Sequence, residues 1–131
     1  TEKILPCFEI VDSRIESWKI KIQDTIADNA SCGIFVLGED SCAPDKFSMD
    51  ELEVIVYKNG EFLSTGKGSA VQGHPAEAVA WLANTLGEYD IPLLKGEFIL
   101  SGSLVPLEPA VSGDVFFMEL KGVGTCEINF S

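Results

Sequence analysis

The sequence predicts an α+β chain that is mostly β, with one main helix over residues 75–87. Three observations carry this. Short apolar or alternating runs bounded by Gly, Pro, Asn or Asp recur along the chain and read as strands. Asn59-Gly60 sits between two such runs, and Asn-Gly is the strongest short hairpin signal. Only one segment combines a cap, a helix-starting proline and helical apolar spacing, and it begins at His74-Pro75.

Taken in order, residues 4–11 form the first strand, with Pro6 near its start or on an edge. After Asp12 the pattern is ambiguous. Ile15, Trp18 and Ile22 share a helical face, while residues 18–22 alternate like a strand. A helical turn followed by an extended segment is expected. Residues 24–29 are polar and suit a short helix or a structured loop. Residues 32–37 are a continuous apolar run and read as a buried strand, and residues 38–50 are a polar connection. Residues 52–57 alternate as a strand, Asn59-Gly60 turns the chain, and residues 62–65 return. Gly66, Gly68 and Gly73 punctuate a loop that meets no Walker or dinucleotide spacing. In the helix His74 is the expected N-cap, Pro75 the first residue and Glu77 the capping-box acid. Ala78, Val79, Leu82 and Leu86 make its apolar face, and Gly87 stops it. Residues 97–101, 114–120 and 125–130 complete the strands, the last two as a hairpin. Trp18 and Trp81 are expected in the core.

A chain of 131 residues supports one modest core and not two domains. Its net charge of −12 argues against nucleic acid and anionic membrane as partners, since both need basic patches. No apolar run approaches the roughly 20 residues of a membrane span. No secretory leader is expected, because Glu2 and Lys3 open onto an apolar stretch that is too short. Cys7, Cys32, Cys42 and Cys126 form no C-x-x-C pair, and the lone His74 is near none of them. That spacing disfavours a structural zinc site and reads as reduced thiols in a cytoplasmic protein.

One residue stands out chemically. Glu9 is flanked by seven apolar residues, Ile4, Leu5, Pro6, Cys7, Phe8, Ile10 and Val11. If that run is buried, the carboxylate must be paired, protonated or bound to a cation. In a strand it could instead face solvent, with Phe8 and Ile10 on the other face. Arg14 is expected to pair with Asp12 or Asp28 and hold structure together.

Around Glu9 the sequence resembles a known family. LP-x-x-EI-x-DSR, followed by DT-x-ADNAS, is similar to the hydratase/decarboxylase branch of the fumarylacetoacetate hydrolase superfamily. The resemblance continues through GHPAEAVAWLANTL, KGEFILSGSL, SGDVFF and GVGTCEINF, and so covers nearly the whole chain. It implies a mixed β-sheet roll in which residues 1–131 are the C-terminal half of a single catalytic domain, incomplete at the N-terminus. It also implies a divalent cation, Mg²⁺ or Mn²⁺, held by three carboxylates. Two come from an upstream Glu-x-Glu pair, and the match places the third on Glu9. Glu51-Leu52-Glu53 lies downstream and does not replace that pair. The resemblance places Ser101, Gly102 and Ser103 at the substrate's carboxylate end, although such a tripeptide also suits an ordinary turn. Asn29 falls where hydrolase relatives often carry a lysine, and becomes a hydrogen-bonding contact. No general acid or base is assigned; His74 reads as a helix cap before it reads as a base.

The implied activity is metal-dependent hydration of 2-hydroxypenta-2,4-dienoate to 4-hydroxy-2-oxopentanoate, in aromatic meta-cleavage catabolism. The cation would supply the positive charge that an acidic protein lacks for an anionic substrate. A 4-oxalocrotonate decarboxylase needs the same chelate and is the alternative. A non-catalytic fragment or assembly subunit is a third reading, since the upstream pair is absent from these residues. Homo-oligomers, and a pathway decarboxylase, are the implied protein partners.

Overall fold

The computed structural model describes residues 1–131. β1 (Cys7–Val11) pairs antiparallel with β2 (Cys32–Leu37) as a two-stranded ribbon. Between them the chain makes a 3-10 turn at Glu16–Trp18, a short helix α1 (Ile22–Ala27) and a second 3-10 turn at Asn29–Ser31. The expected extended piece is therefore only the linker before α1. The short-helix alternative holds for the segment after it.

The second sheet has four strands. β3 (Glu53–Lys58) and β4 (Glu61–Lys67) form the predicted hairpin. Asn59 and Gly60 both take positive φ, 54° and 82°, as a primed turn requires. β5 (Val115–Leu120) pairs with β3, and β6 (Gly124–Asn129) with β5, giving the order β4-β3-β5-β6. Strand alternation makes the core. Val54 lies opposite Leu120, and Val56 opposite Met118. These four, with Leu52, Phe116 and Cys126, are the buried cluster.

The ribbon lies on this core through one face. Phe8 meets Phe116 edge-on at 6.4 Å, and Phe116 meets Phe130 at 5.7 Å. The Cys126 thiol donates to the Val36 carbonyl at 3.5 Å. Gly38 has no room for a side chain, since a Cβ there would stand 2.2 Å from the Thr125 carbonyl oxygen. Glycine thus lets the end of β2 cross β6 at backbone contact.

α2 (Pro75–Gly87) forms over the predicted residues, but Glu77 makes no capping-box bond back to His74. The His74 Nδ1 accepts from the Ala76 N–H at 3.1 Å, so His74 is a cap. Its predicted apolar face is only half-buried.

Several expectations fail, for one physical reason. Residues 97–101 are not a strand, because no other strand of this chain reaches them. No backbone–backbone hydrogen bond involves residues 98–110. β2 is not buried, with Ile34 60% and Phe35 42% exposed. Trp18 and Trp81 are not core residues; they are 49% and 61% exposed. Only 14 of 131 residues are buried, so much apolar surface that a single core would cover is left open.

Candidate functional site

β1 is paired on one edge only. A cleft of about 670 Å³ opens along its free edge. Residues 5–11 all line this cleft and no residue of β2 does. Residues 99–110 form the facing wall, and the buried residues of β3 and β5 lie at its base. Trp18 also stands on the wall. Apart from that indole, the wall's polar side chains are Glu9, Ser64, Ser101, Ser103 and Glu108. The structure therefore brings Glu9 and the Ser101-Gly102-Ser103 tripeptide to one cavity, although they are far apart in sequence.

Alternation and register set Glu9. Phe8 and Val36, opposite each other, pack on the core. Glu9 and its partner Phe35 take the other face. Phe98 lies 5.8 Å from Phe35, ring to ring, so the segment leading into Ser101 starts on the face that carries Glu9. Glu9 is half-buried and makes no ion pair. Its neighbours register its charge. Burial first, then Cys126, Glu9 and Cys32, push the Cys7 thiol up to about 11. Burial first, then Glu9, also raises the Cys32 thiol. A half-buried carboxylate without a cationic partner, set among neutral thiols, suits a bound cation.

The tripeptide is built to expose donors. Gly102 takes φ of +121°, a conformation open to glycine and strained for other residues. The Ser103 hydroxyl donates to the Val105 carbonyl at 2.6 Å, which holds the turn. The N–H groups of Ser101, Gly102 and Ser103 have no acceptor within the chain. Free backbone N–H groups are donors that an anionic ligand can use.

Asn29 is not on the cleft wall. It opens a turn in which Asn29, Ala30 and Ser31 all take positive φ, 51°, 55° and 59°. Non-glycine residues pay roughly 1–2 kcal/mol each for that conformation. Asp28 holds the turn. Ser31 and Ser13 hydroxyls donate to Asp28 Oδ2 at 3.0 and 3.3 Å. Arg14 donates to the Asp28 carboxylate through Nε and to the Cys32 carbonyl at 2.9 Å. Burial raises the Asp28 pKa, but bonds from Arg14 and Ser31 outweigh it and keep the carboxyl below its ordinary range. Of the two acids proposed as partners for Arg14, the structure thus chooses Asp28. Asn29 itself is exposed, with no side-chain hydrogen bond.

The Glu51-Leu52-Glu53 triplet is likewise engaged elsewhere. Glu51 pairs with Lys67 at 2.8 Å and Glu53 with Lys121 at 2.9 Å. No group of three His, Cys, Asp or Glu side chains in this chain is placed to hold a metal ion. Trp18 is the wall residue that the sequence reading missed. The signal was there, because Trp18 lies in Glu16-Ser17-Trp18-Lys19, amid polar residues that a core position seldom has.

The family profile described as fumarylacetoacetate (FAA) hydrolase C-terminal matches residues 4–131. The chain belongs to the fumarylacetoacetate hydrolase family. Within that family it is similar to a 2-hydroxyhexa-2,4-dienoate hydratase of Comamonas testosteroni, 60% identical over all 131 residues and 50% of the relative. It is also similar to a 2-hydroxypent-2,4-dienoate hydratase of Pseudomonas putida, 58% identical over 70% of this chain and 41% of the relative. Among solved structures it resembles the 4-oxalocrotonate decarboxylase of Pseudomonas putida G7, complexed with magnesium and adipate. The TM-score is 0.91 at 35% identity, over 99% of this chain and 49% of that one. The fold is that of the fumarylacetoacetate hydrolase family, mostly β with one main helix. The chain spans about half the length of the curated relatives it matches.

Proposed function

We propose that residues 1–131 are the C-terminal half of the catalytic domain of a divalent-metal-dependent hydratase. Its substrate is 2-hydroxypenta-2,4-dienoate and its product 4-hydroxy-2-oxopentanoate. The observation that carries this is the single cleft shared by Glu9, a half-buried carboxylate without a cation, and a tripeptide with unbonded N–H groups. The similarity to hydratases at 60% and 58% identity supports the reaction class.

Glu9 would hold the cation, Mg²⁺ or Mn²⁺. When bound, that cation supplies Lewis acidity at the substrate's 2-oxo and carboxylate oxygens. Mg²⁺ wants six hard oxygens at about 2.1 Å, so one carboxylate is not a site, and the other ligands would come from outside these residues. Ser101, Gly102 and Ser103 would receive the substrate carboxylate on their N–H groups. The apolar wall would exclude bulk water from the hydrocarbon tail. Asn29, exposed and without a side-chain bond, is a candidate contact from the turn beside β2. The other half of the domain would cover the exposed apolar residues Ile91, Leu94, Phe98 and Leu107. A cytoplasmic, homo-oligomeric enzyme follows from this reading, with a pathway decarboxylase as a further candidate partner.

The test is loss of dienoate absorbance with the parent protein, with the parent after chelation, and with residues 1–131 alone. Turnover by the metal-loaded parent only is expected. Metal-dependent turnover by the 131-residue chain would overturn the half-domain assignment. The resemblance to the decarboxylase structure supports a second reading, 4-oxalocrotonate decarboxylation. Release of CO₂ from 4-oxalocrotonate, without hydration of the dienoate, would select it.

A further inference from the structure

The cleft is built for a ligand with one polar end. Its wall offers Glu9 and the 101–103 N–H groups to a carboxylate and its neighbouring oxygen, and apart from Ser64 and Glu108 its remaining side chains are apolar. The rest of a dienoate is hydrocarbon, so its tail must lie against apolar side chains. Trp18 is unlike the others. It stands on this wall yet is 49% exposed, so core burial does not hold it there. A tight turn after β1 does. Ser17 and Trp18 take φ of 57° and 51°, and the Trp18 N–H and carbonyl bond to Ile15 and Ile20 at 3.1 and 2.9 Å. Left-handed backbone at two consecutive non-glycine residues is unfavourable and clusters at ligand-binding sites, and here it aims the Trp18 side chain at the cleft wall. What is aimed is a large, rigid, apolar ring with a single donor, suited to a hydrocarbon and poorly suited to a carboxylate.

We propose that Trp18 is a specificity-determining residue that sets the length of hydrocarbon tail the cleft accepts. The proposal rests on the dienoate reading above. Similar relatives are named for five-carbon and six-carbon dienoates at nearly the same identity to this chain. Discrimination therefore turns on one methylene. In an apolar pocket one methylene is worth about 10- to 200-fold in kcat/KM. A single indole on this wall, set against the hydrocarbon tail, is large enough to make that difference.

The experiment uses the parent protein with Trp18→Ala and Trp18→Phe, assayed on five-, six- and seven-carbon 2-hydroxydienoates. In Trp18→Ala the ratio of kcat/KM for the longer substrates to that for the five-carbon one should rise about tenfold over wild type. Trp18→Phe should shift the same ratio by less. Inhibition by oxalate, which reports only the polar end, should stay within about twofold. A ratio unchanged in both variants overturns the proposal, and so does a parallel loss of oxalate inhibition, which would make Trp18 a support for the head site or the fold. A parent that hydrates no dienoate would sink the hydratase reading instead. Trp18 is then judged by fluorescence on titration with 2-oxo acids of four to six carbons. A change that grows with chain length, persists in Trp81→Phe and vanishes in Trp18→Phe supports it. No change in any variant overturns it.

Discussion

Gly66→Ala should damage catalysis as well as stability. Gly66 lies in β4, paired with Val54 of β3. A Cβ there would stand 2.0 Å from the Leu104 carbonyl oxygen and 2.9 Å from the Leu104 carbonyl carbon. Real Cβ contacts essentially never fall below 3.0 Å, so the two backbones must part by about 1 Å. The weaker side yields. β4 is tied to β3 by an antiparallel ladder with a single register shift at Val56/Tyr57, well away from Gly66, whereas no backbone–backbone bond holds residues 98–110. The displacement therefore passes to Leu104 and its neighbours Ser101, Gly102 and Ser103. On the proposed reading these groups position substrate, and a shift of about 1 Å in such groups costs on the order of 10²-fold in rate. Overpacking of this kind typically costs about 1–3 kcal/mol of stability. The assay is kcat/KM for the dienoate in the parent, beside thermal unfolding of the same sample. Kinetics within twofold of wild type would refute the claim that this backbone approach sets the tripeptide's place in the cleft.

Gly87→Ala serves as the contrasting case. Nothing lies within 4 Å of a Cβ there and the backbone is ordinary, so thermal melts should show stabilisation by about 0.5–1 kcal/mol with unchanged kinetics. Asp114 governs acid sensitivity: the Asn59 amide, then the Val111 N–H and Lys58, lower its pKa from 3.8 to about 2. A depressed carboxyl contributes stability above its unfolded pKa and loses it as pH falls through the folded one. Asp114→Asn should thus flatten the fall in stability between about pH 3.8 and about pH 2, read by denaturant unfolding across that window.

Local chemistry was legible where it is self-contained. Asn59-Gly60, the His74 cap with Pro75, and the pairing of Arg14 with one of two nearby acids depend on residues close in sequence or on simple charge, and each took its expected form. Residues 97–101 failed because a strand is defined by its partner, and an apolar run says nothing about where the partner lies. Phe35 and Trp81 failed for a related reason: apolarity predicts that a side chain seeks cover, not that the same 131 residues supply it. Glu9 was legible as an anomaly from its flanks alone. Its company in the cleft was not, since Ser101 reaches the same wall through a segment that no ladder holds. Trp18 was misjudged because its size suggested core, while its polar neighbours indicated surface.

The central claim is that Glu9 holds a divalent cation beside the 101–103 tripeptide. Calorimetric titration of Mn²⁺ into the parent protein and its Glu9→Gln variant, with and without oxalate, tests it most directly. Loss of one anionic oxygen ligand should weaken Mn²⁺ affinity by well over about tenfold, and should also abolish the gain in affinity that oxalate gives wild type. Equal Mn²⁺ affinity in the two proteins, with the oxalate coupling intact, would contradict the account.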